Sequence, residues 1–199
     1  MAVRTDRQAD RRRQILEAAV KVFARNGFHT SRVGDIAEEA GVAYGLVYHY
    51  FKSKEELLET IFRDTWTQML ARINEVQEAG VPAPEAVRQV TALLLRTWRR
   101  DPDLVRVLVR EVTRSPHVQR EVEEITQAMQ ALEAIIRAGQ ESGEFRTDLD
   151  PRLSAVVFYG ALDEVLTSWV LGQLPDKDED IARAERNLVE LLVDGFRSA

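Results

Sequence analysis

Glycine 41 is the residue that most constrains what this chain can fold into. It lies in "GDIAEEAGVAYGLVYHYF", residues 34–51, between two short runs that carry apolar residues at helical spacing. Ile36, Ala37, Ala40, Val42, Val47 and Tyr50 supply the apolar positions. A small residue at Ala37 lets two helices cross closely, and a glycine between them provides the positive backbone angle of a tight turn. The pattern predicts a helix-turn-helix, whose second helix enters the major groove of DNA. Any short helical hairpin satisfies much of the same pattern, so the flanking sequence has to be weighed with it.

The rest of the chain repeats the three-and-four spacing of helices and shows no two-residue alternation. A first helix is expected over 10–26, with Ile15, Ala18, Ala19, Val22 and Phe23 on one face and Gly27 as its left-handed cap. Thr30 or Ser31 is expected to cap a second helix that closes at Gly41, and a third runs over 43–50. Ser53 with Glu56 forms a capping box for a long fourth helix, broken by "AGVPAP" at 79–84. Further helices are expected over 84–99, 102–113, 116–141, 151–174 and 180–197. Nine helices without strands make an all-α protein, with a head at 1–53 and a body at 54–199. The fourth helix starts at that boundary without glycine or proline, so moving it would move the head.

Charge is unevenly placed. Residues 1–55 carry ten Lys/Arg against seven Asp/Glu, whereas 56–199 carry seventeen against twenty-six. A basic head on an acidic body suits contact with a polyanion. Arg4, Arg7, Arg11, Arg12 and Arg13 precede the first apolar face, and Arg32, Lys52 and Lys54 bracket the two short helices, where they can meet phosphate. The chain has no cysteine, which excludes disulfides, thiolate metal sites and cysteine nucleophiles. His29, His49 and His117 are far apart, and Asp163–Glu164 reads as a polar edge or a pocket hydrogen bond. No catalytic residue, metal ligand or cofactor is expected. No run approaches the ~18 apolar residues of a membrane span, and the N-terminus lacks the apolar stretch of a secretory signal. The expected location is the cytoplasm.

The last two helices carry apolar residues around much of their circumference: Val156, Val157, Phe158, Ala161, Leu162, Val165, Leu166, Trp169 and Val170 on one, and Ile181, Ala184, Leu188, Leu191, Leu192 and Phe196 on the other. Such helices are either interior to a monomer or shared between a body and a partner subunit. In the middle helices, Trp66, Met69, Trp98, Val105, Leu108, Met129, Phe158, Leu162 and Trp169 are either core or the lining of an apolar tunnel. Arg106, Arg110 and Arg114 recur every four residues. They form either a solvated face or a basic mouth for an anionic ligand.

The stretch "RRRQILEAAVKVFARNGFHTSRVGDIAEEAGVAYGLVYHYFKSKEELL", residues 11–58, resembles the TetR family of bacterial transcriptional regulators. That resemblance implies a homodimer that binds a near-palindromic double-stranded operator, a ligand-binding body, and no catalysis. By position it makes Ser31, Arg32, Tyr44, Gly45, Tyr48, His49, Tyr50 and Lys54 the DNA-binding residues, with Phe51 in the core. Residues 43–50 contain no Arg, Lys, Asn or Gln, so bidentate base readers are missing and groove shape has to carry much of the specificity. "RVLVREVTRSP" and "FYGALDEVLTSWVLGQ" are similar to segments of the FadR-type branch, which controls fatty-acid degradation. This implies a long-chain acyl-CoA effector, an acyl tunnel lined by Trp66, Met69, Trp98, Phe158, Leu162 and Trp169, and Arg106 and Arg110 as phosphate partners. Two alternatives stay open: a TetR-type regulator of efflux or other metabolism with a different apolar or aromatic ligand, and an acyl-CoA-binding enzyme or carrier.

Overall fold

The computed structural model describes residues 2–112 and 123–197. Its described residues form nine helices: α1 (Ala2–Asn26), α2 (Val33–Glu39), α3 (Tyr44–Tyr50), α4 (Lys54–Glu78), α5 (Ala83–Arg100), α6 (Pro102–Val112), α7 (Glu123–Glu141), α8 (Pro151–Val170) and α9 (Asp178–Phe196). The expectations on Arg114, His117 and the start of the 116–141 helix lie outside the described residues, as do those on the side chains of Arg4 and Val112.

The turn read from Gly41 is present. Gly41 takes φ +62°, its N–H donates to the Glu38 carbonyl at 3.0 Å, and the Val42 N–H donates to the Ala37 carbonyl at 3.0 Å. These two bonds form a Schellman motif, which satisfies the carbonyls left open at the end of α2. Its start differs from expectation: Arg32, not Thr30 or Ser31, is the N-cap residue. Both hydroxyls turn back to the end of α1, Thr30 to the Asn26 carbonyl and Ser31 Oγ to the Gly27 carbonyl at 2.7 Å. The Asp35 carboxylate accepts from the Arg32 N–H at 2.9 Å and closes the first turn of α2. At α4, Ser53 Oγ accepts from the Glu56 N–H at 3.1 Å, as its sequence signature implies. The Glu56 carboxylate reaches back one residue further, to the Lys52 N–H at 2.6 Å. At the chain's other end α8 stops at Val170 rather than near 174, where Gly172 and Pro175 turn the backbone.

Apolar residues divide into two clusters. The first holds Ile15, Ala19, Val22 and Phe23 of α1, Ile36 and Ala37 of α2, Val47 of α3 and Phe51. It does not stop at residue 53, but continues through Leu57, Leu58, Ile61 and Phe62 of α4 and takes in Val107 of α6. The second cluster fills the body between α4, α5, α7, α8 and α9, with Leu95, Ile136, Phe158 and Leu162 among its fully buried side chains. Phe145, in a segment expected to be plain loop, is 1% exposed and packs on Phe196. The Arg146 N–H donates to the Phe196 carbonyl at 2.8 Å, fastening the end of α9 to this loop. Arg96–Glu185 and Arg99–Asp178 ion pairs tie α5 to α9 at the surface.

By length and composition alone α8 is apolar enough to cross a membrane. In this fold Ala155, Phe158, Leu162 and Trp169 bury one face in the body. Leu153, Val156 and Val157 stay exposed on another.

Candidate functional site

Two features stand out, one in the head ahead of α4 and one beside the middle of α4. At the head, α3 is held by its inner side, where Val47 and the following Phe51 are buried. Its outer side carries Tyr44, Gly45, Tyr48 and His49, all exposed, with Tyr44 at 56% and Tyr48 at 44%. Two large exposed aromatics on a seven-residue helix mark a contact surface. The Tyr44 and Tyr48 hydroxyls share a hydrogen bond at 3.3 Å, and the rings meet edge to face at 5.2 Å. That hydrogen bond, with slight burial and the neighbouring phenol behind it, raises the Tyr48 phenol above its ordinary value. Nothing lies within 4 Å of where a Cβ would stand on Gly45, so close backbone approach is open there.

The remaining expected DNA residues divide by placement. Arg32 is exposed at the start of α2. Ser31 is buried, with its hydroxyl committed to Gly27. Tyr50 is half-buried, packs on the head core and meets His49 edge to face at 5.2 Å. The Lys54 ammonium donates to the carbonyls of Phe28 (2.6 Å), Ser31 (3.0 Å) and His29 (3.3 Å) and sits 4.5 Å from the Phe28 ring centre. Its three protons are therefore spent on backbone rather than left facing outward. Arg12 pairs with Asp64 and lies over Phe51, binding α1 to α4. Among the described residues, Arg7, Arg11, Arg32 and Lys52 are exposed and make no ion pair.

In the body, a cavity of about 100 Å³ opens between four helices. Thr65, Trp66 and Met69 line it from α4, Leu94 and Thr97 from α5, and Val105, Leu108 and Val109 from α6. Tyr159, Leu162, Asp163, Leu166 and Thr167 complete it from α8. Trp66 leans on Tyr159, their rings 5.9 Å apart. Burial pushes the Tyr159 phenol well above its ordinary value, with the Asp163 charge adding to it. Burial likewise raises the Asp163 carboxyl, and neighbouring Glu164 raises it further.

Of the expected ligand residues, Trp66, Met69 and Leu162 come together here, along with Val105 and Leu108. Trp98, Phe158 and Trp169 do not. They are core, with Trp98 stacked on Trp169 at 6.3 Å and the Trp169 indole N–H donating to the Pro175 carbonyl at 3.1 Å. Met129 is half-buried against the body core, away from the cavity. Arg106 pairs with Asp103 at 2.6 Å and lies over the Trp98 ring, while Arg110 donates to the Ala24 carbonyl at 3.2 Å. Neither lines the cavity. Tyr159 was missed by sequence reasoning, although Tyr159, Asp163 and Thr167 at four-residue spacing form a polar line on an otherwise apolar helix.

One connection joins the two features. Trp66 and Leu108 line the cavity and also pack against the head cluster, in which Val107 is buried at 1% exposure. A change of shape in the cavity is therefore felt by side chains that touch the head.

Comparison with known proteins places this arrangement. The model described as "Bacterial regulatory proteins, tetR family" matches residues 15–61, and "YsiA-like protein, C-terminal region" matches residues 62–195. The fatty acid metabolism regulator protein of Bacillus subtilis (strain 168) is 34% identical over 187 residues, spanning 93% of this chain and 95% of that one. The structure of the transcriptional regulator FadR from Bacillus subtilis in complex with stearoyl-CoA superposes with a TM-score of 0.82 at 33% identity, covering 92% of this chain and 98% of that one. The fatty acid degradation regulator FadR from Bacillus halodurans gives 0.85 at 28% identity, covering 95% and 97%. The helix-turn-helix head, the helical body and these matches along nearly the whole length establish that the chain belongs to the TetR family of bacterial transcriptional regulators and is similar to its FadR-type regulators of fatty acid metabolism.

Proposed function

We propose that the protein is a homodimeric repressor that leaves its operator when the acyl chain of a long-chain acyl-CoA enters the body cavity. The observation that carries this reading is the double duty of Trp66 and Leu108, which line the cavity and pack on the head. A cavity of about 100 Å³ falls well short of the roughly 300–1,000 Å³ of ligand clefts. A long chain is accommodated only as α4, α5, α6 and α8 part. Because the first turns of α4 belong to the head core, and Val107 of α6 is buried in it, that parting reorients the head. Release by about 100-fold needs ~2.7 kcal/mol of differential binding. At ~0.8 kcal/mol per buried methylene, a few carbons of the chain supply it.

DNA is met by the outer side of α3, with Arg32 and the unpaired basic residues of the head on phosphate. Tyrosine hydroxyls, the His49 ring and a methyl contact from Ala43 read base edges, and groove shape sets the rest. The dimer forms through the exposed apolar face of α8 and α9, at Leu153, Val156, Val157 and Leu191. Residues 1–53 then act as the DNA-binding unit and 54–199 as the effector and dimerisation unit.

The test uses duplexes selected from a random pool by the purified protein, followed by mobility-shift titration with stearoyl-CoA. The expected outcome is a near-palindromic consensus and about 100-fold weaker binding at saturating ligand. Unchanged operator affinity would remove the acyl-CoA effector and leave the regulator. A response to an aromatic efflux substrate instead would favour the other TetR-type reading.

A further inference from the structure

Tyr44 and Tyr48 stand one turn apart on the outer side of α3, with their hydroxyl oxygens 3.3 Å from each other and their rings edge to face. Among the described residues neither hydroxyl has another hydrogen-bond partner. Phenols keep their protons at neutral pH, and Tyr48 the more firmly, because its hydrogen bond with Tyr44 raises it above its ordinary value. The pair therefore holds two protons, one of which is spent between the two oxygens. One proton is left to face outward, and it can leave from either oxygen, since each hydroxyl donates or accepts. Successive bases of a DNA strand rise by about 3.4 Å, so the two oxygens match the spacing of neighbouring base edges in the major groove.

From this we infer that the tyrosine pair reads a two-base step as a unit, and favours steps that hold an amino donor beside an acceptor over steps of guanine and thymine alone. The inference rests on the reading of α3 as the DNA-contacting helix and deepens it. Adenine and cytosine present an exocyclic amino group in the major groove, whereas guanine and thymine present only acceptors. Beside a mixed step, one hydroxyl gives its outward proton to the base acceptor. The other accepts from the amino group and donates to its neighbour. All three bonds then run head to tail, an arrangement in which each polarises the next. Two acceptor-only bases on the contacted strand demand two outward protons and break the bond between the tyrosines. Two cytosines leave the outward proton unused. Because the chain of bonds can run either way, the order of the two bases is free. Residues 43–50 hold no Arg, Lys, Asn or Gln, so no bidentate reader on α3 overrides the pair.

Full-length wild type, Tyr44→Phe and Tyr48→Phe are each used to select duplexes from one random pool, and the enriched sequences are compared. Both rings are exposed, on the side of α3 away from the buried Val47, so the two variants are expected to melt like the wild type. At one two-base step of each half-site the wild type is expected to enrich mixed steps about three- to tenfold over steps of guanine and thymine alone. Each variant keeps one hydroxyl, which donates or accepts without constraint. The preference at that step is therefore expected to fall to within about twofold, while the rest of the consensus stays. A wild-type consensus with only guanine and thymine at the step that the variants alter overturns the inference. An unchanged consensus in both variants also overturns it; if affinity then falls for all duplexes alike, the hydroxyls lie on phosphate instead. In either case α3 remains a DNA-contacting helix. A wild type that enriches no sequence overturns that reading as well.

Discussion

At the start of α4 a single ammonium group holds three backbone carbonyls, those of Phe28, His29 and Ser31. The resemblance implies a phosphate contact at Lys54, whereas the geometry shows it fastening the α1–α2 connection to α4. The two roles are separable. If Lys54 acts as the fastener, Lys54→Met loses about 1–2 kcal/mol of stability by thermal denaturation. Operator affinity then falls while the slope of log affinity against log salt stays unchanged. A phosphate contact would instead reduce that slope by about one. Arg106 and Arg110 teach the same lesson from the body. Their four-residue spacing showed in the sequence, but spacing alone does not say what stands opposite. Asp103 and the Trp98 ring take Arg106, and the Ala24 carbonyl takes Arg110, so neither reaches the cavity wall.

Among the elements, α6 is the one whose importance the sequence understated. Continuity of α4 with the head pointed to that helix as the lever. The structure adds α6, which presents Val105 and Val109 to the cavity and Val107 to the head core, with Leu108 touching both. The sequence offered Val105 and Leu108 as core or tunnel lining, without showing that α6 touches two different cores. Val107→Ala leaves the cavity lining intact and loosens the contact with α1 and α4. Ligand affinity is expected to stay within about threefold, while the ligand-induced loss of operator binding shrinks at least fivefold. Titration of ligand and operator on the same variant measures both. The accompanying stability loss of about 1–3 kcal/mol is checked by denaturant unfolding.

On the scale of the whole molecule, the apolar surface left on α8 and α9 is what a second copy would cover. Leu191 is 73% exposed, so a charge there costs the single chain little. Leu191→Glu is expected to shift sedimentation from dimer to monomer and to weaken operator binding by at least tenfold at nanomolar protein, since two heads would no longer act together. An unchanged sedimentation coefficient would place the interface elsewhere. The sequence by itself determined the all-α class, the helix-turn-helix with its glycine turn, the Ser53 cap and the uneven placement of charge along the chain. These follow from local rules: residue spacing, backbone angle and nearby hydrogen bonds. Only the tertiary structure decided which apolar residues are core and which line the cavity. It also showed that Lys54 and the arginines of α6 are engaged, and that Tyr159 and Asp163 face a common space. Those outcomes depend on which helix lies across from which, and periodicity along one helix carries no information about its neighbour.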